Sequence, residues 1–276
     1  MRGFLTHRGA LAGTVLLLTV LAAALLAPLL APYDPARVPT DLAARSMRPP
    51  GREHWLGTDL LGRDLLSRIL YGARVSLLVG LVVALLTAVL GAVVGLLAGF
   101  YAGTIDAVFM RLTDAIMAFP TLVLAIAAVA ILDQPGLLAL ILVLAAVQWT
   151  TVARLIRGQA LSLREREFVS AAYALGARDL RILVRHLLPN CLAPLLVSTT
   201  FGVASNILAE AGLSFLGLGI QPPVVSWGSL LSEGAVYLTV KPWLVIFPGL
   251  AISLTVLGCN LTGDGLRDLL EPHPAG

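Results

Sequence analysis

The sequence predicts an all-α integral membrane protein with six transmembrane helices, and three observations predict it. Of 276 residues, 58% are hydrophobic and 13% charged, and the mean hydropathy is +0.91. Soluble domains run about 45–50% apolar and roughly 25% charged, because they need a largely polar exterior. Aromatic residues supply only 6% of the chain, so the excess is Ala, Leu, Val and Gly. Finally, uncharged windows of spanning length recur from end to end. Disordered, collagenous and disulfide-scaffold classes are excluded.

A spanning helix needs about 20 apolar residues. Windows of that kind are Gly9–Tyr33, Val75–Ile105, Ala115–Leu132, Gln134–Ala153, Leu187–Ala209 and Pro242–Gly263. The first is too long for a cleaved secretory signal, whose apolar core is about 7–15 residues, so it reads as an uncleaved anchor. Six spans put both termini on one side. Arg2 and Arg8 favour the cytoplasm for that side, as does the arginine-rich segment between spans four and five. The segment from Asp34 to Arg74 also carries seven arginines, against this parity; N-inside is the expectation. A seventh uncharged window, Ala211–Ser232, is broken by Gly212, Gly217, Gly219, Pro222 and Pro223. Lipid-exposed backbone must satisfy its own hydrogen bonds, so this stretch is expected to be an outer loop or re-entrant segment.

The organisation is therefore 1–33, an N-terminal segment and first span; 34–74, an extracytoplasmic segment; 75–272, a five-helix core that includes a cytoplasmic loop 154–189; and a tail, 273–276. Within span two, Gly91, Gly95 and Gly99 form a stripe on which another helix can approach closely, from within the subunit or from a second one. Pro120 and Pro248 are candidate kinks in spans three and six.

The net charge is +3, and Lys241 is the single lysine. It lies in Thr239-Val240-Lys241-Pro242 and cannot serve a phosphate-cradling Gly-Lys-Ser/Thr loop. The chain is thus expected to have no ATPase site of its own. Cys191 and Cys259 sit in apolar stretches and read as buried reduced thiols.

Two segments outside the spans carry information. The first is His54-Trp55-Leu56-Gly57-Thr58-Asp59-Leu60-Leu61-Gly62-Arg63-Asp64-Leu65-Leu66-Ser67-Arg68. Its spacing predicts a short amphipathic helix at the membrane surface, capped by Thr58 and closed by Gly72. Asp59–Arg63 and Asp64–Arg68 would be (i, i+4) ion pairs. His54, Asp59 and Asp64 do not suggest a metal site, because the acids have arginine partners and no point of convergence. The second segment runs from Arg154 to Pro189. Residues 168–175 read as one short helix ended by Gly176. Leu180, Leu183, Val184, Leu187 and Leu188 mark another, with Arg178, Arg181 and Arg185 on its opposite face.

Ser170-Ala171-Ala172, then Gly176, then Leu188-Pro189 resembles the "EAA…G…LP" signature of ABC-importer permease subunits. Ser170 stands where that family usually has Glu, and His186 where it usually has Ile. The run with His54, Trp55, Gly57, Asp59, Gly62, Arg63, Asp64 and Arg68 resembles a signature of the dipeptide/oligopeptide/nickel branch in its second, C-type subunit. Two more stretches are similar to that branch: Ser214–Pro223 with Ser226-Trp227-Gly228, and Gly263–Asp268.

The resemblance implies a type I importer permease fold in which residues 154–189 carry a coupling helix. Ser170, Ala171, Ala172 and Gly176 would meet an ATPase subunit, with Leu188 and Pro189 anchoring the joint. It implies a homologous six-span permease, two ATP-binding subunits that hold ATP and Mg, an extracytoplasmic binding protein, and a bacterial or archaeal cytoplasmic (inner) membrane. No cofactor, metal or nucleic acid is implied for the chain itself. The cargo is expected to be short peptides, with nickel or another small solute as the alternative. Intramembrane polar groups are functional candidates by default, so Asp114, Glu210 and Asn260 are candidates for the pore or an interface. A stand-alone ion-coupled carrier is the alternative of another class, but no inverted halves or paired broken helices are evident. An intramembrane enzyme would need a catalytic cluster at membrane depth, and none is evident.

Overall fold

The computed structural model describes residues 8–41, 45–132 and 136–270. Arg2, His7 and the tail 273–276, with His273, lie outside the described residues. The regular elements of the described residues are all helical: α1 (Arg8–Leu25) with a short continuation α2 (Ala27–Leu30), α3 (Leu65–Tyr101), α4 (Gly103–Met117), α5 (Thr121–Ala130) and α6 (Leu137–Arg164). Then come α7 (Glu167–Ala174), α8 (Asp179–Ile182), a wide-turn stretch Leu183–Leu187, α9 (Leu188–Phe215), α10 (Trp227–Ala235) and α11 (Trp243–Leu270). Among the described residues, five helices are long and apolar enough to cross a membrane, or six if α4 and α5 count as one span bent by 84°.

That bend revises the straight third span expected over Ala115–Leu132. Pro120 sits at the break, immediately before α5. A proline cannot donate a backbone hydrogen bond and clashes with the preceding turn, so α4 stops and α5 sets off in a new direction. Pro248, by contrast, is carried inside an unbroken α11.

The 37 residues of α3 rise about 55 Å, against a hydrocarbon core of about 30 Å. One helix therefore spans the bilayer and projects beyond it. Its interior is lined with small residues. A Cβ placed on Gly91 would lie 2.5 Å from Val152 Cβ, and one on Gly95 would lie 2.5 Å from the Ala153 carbonyl oxygen. A Cβ on Gly99 would meet Ala160 Cβ at 2.7 Å. The glycine stripe is thus filled by α6 of the same chain, running parallel to α3. It is no surface for a second subunit.

On another side α9 runs antiparallel to α3, with Ile207 against Gly80 and Asn206 Nδ2 donating to the Gly80 carbonyl at 3.3 Å. Helix α1 packs antiparallel on α11, Gly13 against Leu261 and Leu17 against Gly258. Cys191 and Cys259 are buried free thiols, as expected.

Helix α9 is entered through the wide turn at Leu183–Leu187. Pro189 follows two residues later and cannot donate to the Arg185 carbonyl. A local widening of the helix accommodates such a mismatch. Asn190 Nδ2 donates to the His186 carbonyl at 2.6 Å, which satisfies another acceptor freed in this turn.

The α3–α6 contact leads to a stability test. Replacing Gly95 by Ala forces a methyl group toward fixed backbone, and is expected to destabilise the purified protein in detergent by about 1–3 kcal/mol. A Cβ on Gly158, also on α6, meets nothing within 4 Å, so Gly158→Ala is expected to be neutral or mildly stabilising. Equal thermal midpoints for the two variants would contradict the close approach.

Candidate functional site: an ionic knot and a tethered helix

The segment 54–68 does not form a surface helix. Residues 54–64 fold into tight turns, and the helix begins only at Leu65 and continues through Gly72 into α3. Asp64 is its N-cap, with Oδ2 accepting from the Ser67 amide at 2.8 Å and from Ser67 Oγ at 2.7 Å. Its other oxygen, Oδ1, lies 2.8 Å from His54 Nδ1. Thr58 caps nothing: its hydroxyl donates to the Arg45 carbonyl and accepts from the Arg48 amide. Gly57 takes φ +82°, and a Cβ there would stand 2.5 Å from the Arg48 carbonyl, so a side chain is excluded on both counts.

The expected Asp59–Arg63 pair forms, with Arg63 Nε donating to Asp59 Oδ2 at 2.6 Å. The Asp64–Arg68 pair does not. Asp64 is already committed to His54 and the helix terminus. Arg68 turns instead to Asp59 Oδ2 at 2.5 Å and to both Glu233 oxygens, at 2.6 and 3.0 Å. Asp59 and Asp64 are therefore buried and do not face solvent, and Arg68 is 1% exposed. The result is a charge-balanced knot of two arginines and two carboxylates that ties the start of α3 to α10. Trp55 points outward, 69% exposed, and Leu60 and Leu61 are exposed as well.

Glu233 was not singled out from sequence, although it is the sole acid between Glu210 and Asp264. A lone carboxylate at the edge of an otherwise uncharged stretch was the available signal. Beside the knot, Ser226 caps α10 in a reciprocal pair with Ser229, and Trp227 donates its indole N–H to the Ile69 carbonyl at 3.0 Å.

Glu210 is fully buried. Its carboxylate accepts from Ser214 and Ser226 at 2.7 Å each, with Ser76 at 3.5 Å. It joins α3, α9 and α10 inside the chain. Asp114 is exposed on α4 and pairs with Arg154 of α6, and about two turns earlier on α4 Asp106 pairs with Arg157. Asn260 is exposed on α11. These three candidates thus lie apart.

At the opposite end of the bundle α7 spans Glu167–Ala174, one residue earlier than expected at each end. Val169 and Ala172 are buried in a cluster with Ile156, Ile182, Leu183 and Leu187. Ser170 and Ala171 face outward. The helix closes on Gly176, φ +77°. The Gly176 amide donates to the Tyr173 carbonyl and the Ala177 amide to the Ala172 carbonyl, the hydrogen-bond pair of a left-handed C-terminal cap. Tyr173 donates to Asp179 at 3.3 Å; desolvation, then the Asp179 carboxylate, raise its pKa above the ordinary tyrosine value. His186 stacks obliquely near Phe168, ring centres 6.4 Å apart. Pro189 is exposed and Leu188 half-buried at the start of α9.

The knot makes a test of its own. Arg68→Met removes one partner from buried carboxylates and is expected to cost about 3–5 kcal/mol of stability. With Asp59→Asn added, Glu233 remains to serve Arg63, and the double variant is expected to lose less than the two single losses combined. Strict additivity in thermal unfolding would show that the two side chains do not act together.

Residues 91–275 match the family described as binding-protein-dependent transport system inner membrane component. Residues 1–50 match the N-terminal transmembrane domain of oligopeptide transport permease C. A peptide transport system permease protein of Brucella abortus biovar 1 is 50% identical over 272 residues, 99% of this chain and 90% of that protein. The di/tripeptide transport system permease protein DppC of Pseudomonas aeruginosa is 44% identical over 274 residues, 98% of this chain and 90% of that protein. Among solved structures, the inward-facing MetNI methionine ABC transporter aligns with a TM-score of 0.60 at 17% identity, covering 74% of this chain and 96% of that one. That likeness supports the fold: the bundle is of the type I importer permease kind. The chain belongs to the binding-protein-dependent transport system inner membrane components, as a C-type permease subunit of an ABC importer.

Proposed function

We propose that this chain forms half of a translocation pore for short peptides, driven by ATP hydrolysed in partner subunits. The observation that carries the mechanism is α7. It is a short helix whose buried side is pinned to the bundle by Val169 and Ala172 and whose other side, Ser170 and Ala171, is free. Small side chains permit close approach by another protein, and the fixed cap at Gly176 sets the angle at which the helix is presented.

In this reading α7 seats in a groove on an ATP-binding subunit. Two such subunits, with ATP and Mg, would bring the two permeases' helices together, and the bundle would open to a peptide delivered by an extracytoplasmic binding protein. Hydrolysis would reverse the motion. The second half of the pore would be a homologous six-span permease. The exposed flank of α4 and α5, with the Asp114–Arg154 pair, is the side we assign to it. Both termini and α7 would lie in the cytoplasm, and the ionic knot outside. Peptide cargo is supported by the names of the relatives, which are peptide permeases at 38–50% identity. Serine at 170 offers a hydroxyl where a carboxylate is usual, so this joint would use one charge fewer.

Gly176 is the position to test. A Cβ there meets nothing within 4 Å, so a substitution acts through backbone angle alone. Valine is strained at positive φ, whereas asparagine tolerates it. With the complete transporter in proteoliposomes, Gly176→Val is expected to abolish ATP-driven dipeptide uptake without preventing membrane insertion, and Gly176→Asn to retain it. Normal uptake by the valine variant would remove α7 from the coupling role.

A further inference from the structure

An apolar groove runs along the outside of the bundle between α3 and α9, with a volume of about 480 Å³. Its walls are Leu85, Val89 and Val93 on one side and Leu188, Leu196 and Thr199 on the other. From Leu85 to Leu97 it follows α3 for about 18 Å, the scale of a stretched acyl chain. At the α7 end it meets Leu180 and Val184. The same two residues line a second cavity, about 700 Å³, whose other walls are Gly176, Arg178, Arg181 and Arg185. The two recesses thus adjoin at Leu180 and Val184, one apolar along the bundle and the other lined by arginines.

The three arginines are exposed. Among the described residues no ion pair engages them, and the nearby Asp179 carboxylate is occupied by Tyr173. Topology alone explains arginines anywhere in this loop. It does not explain three on the rim of an acyl-sized groove. Leu180 and Val184 are also 71% and 56% exposed, an unfavourable arrangement unless something apolar covers them.

We infer that these adjoining recesses hold one anionic phospholipid, its acyl chain against α3 and α9 and its phosphate among Arg178, Arg181 and Arg185. An acidic headgroup suits guanidinium groups at membrane-surface depth, and only a molecule that is apolar at one end and anionic at the other fits both parts. The lipid would brace α8 and the wide turn before Pro189, next to α7.

The complete transporter would be placed in phosphatidylcholine vesicles containing phosphatidylglycerol with a photoactivatable acyl chain, and the crosslinked peptides mapped. Labelling is expected in segments 85–97 and 180–199. It should fall about tenfold in Arg181→Gln/Arg185→Gln, and about tenfold when phosphatidylcholine carries the probe. Val93→Trp, which fills the groove and keeps every arginine, should also suppress it. The inference fails if both lipids label equally or if the variants label like wild type.

Discussion

Helices in a bilayer gain nothing by hiding leucine from lipid, so the bundle depends on how closely α6 can approach α3. The approach is made along Gly91, Gly95 and Gly99, where α6 backbone and the side chains of Val152, Ile156 and Ala160 fill the space that side chains would occupy. Dispersion between closely packed backbones replaces the hydrophobic effect as the source of association. Three further helices are placed against this pair. Helix α9 reaches α3 near Gly80, α5 closes against Leu140 and Leu144 on α6, and α7 hangs from the cluster around Ile156 and Ala160.

The polar groups follow the same economy of space. A buried arginine in a membrane protein is tolerable only where its donors are used. Arg68 uses its Nη1 and Nη2 donors, with Nε left without a hydrogen-bond partner among the described residues, and it can do so because α3 is longer than the bilayer is thick, so its first turns leave the hydrocarbon. There Asp59 and Arg63 from the turns before α3 converge with Glu233 from α10. Glu210 is handled differently: among the described residues no ion pair engages it, and hydroxyls from Ser214, Ser226 and Ser76 surround it. Both arrangements hold α10 against the top of α3, one by charge and one by hydroxyl groups.

Much of this was legible in the residues. Composition and uncharged windows located the spans, because hydrocarbon permits few alternatives. Residues 168–176 announced a short helix and its glycine terminator, since both signals are local. The reading failed where partners come from far away in sequence. An (i, i+4) rule paired Asp64 with Arg68 because it knows only the neighbours on one helix. Asp64 was instead the cap of that helix and bound His54, and Arg68 found Glu233 at a separation of 165 residues. Periodicity also placed a helix before Leu65, where Gly57 and Gly62 at positive φ enforce turns. The bend at Pro120 was visible as a proline. Its 84° size was not, because angle depends on what α6 offers to either side.

The two ends of the molecule are joined by one element. From Asp179 the chain runs through α8, the wide turn and α9 to Phe215 as a single helical rod. At its lower end the rod carries Leu183 and Leu187, which pack with Val169 and Ala172 of α7. At its upper end it carries Glu210 and Ser214, which hold Ser226 at the cap of α10, and α10 in turn carries Glu233 into the knot. A displacement of α7 must therefore either break its apolar anchorage or move the rod. The wide turn at Leu183–Leu187 is an irregular place along it, where Pro189 has removed a hydrogen bond and left slack between anchorage and span, and Pro194 removes another just inside α9. Stiffness above that turn and compliance within it would let a push at α7 emerge as tilt of α9 against α3. That tilt would have to work against the contact near Gly80, where Ile207 packs closely and Asn206 donates to the Gly80 carbonyl, and against the Glu210 hydroxyl cluster above it.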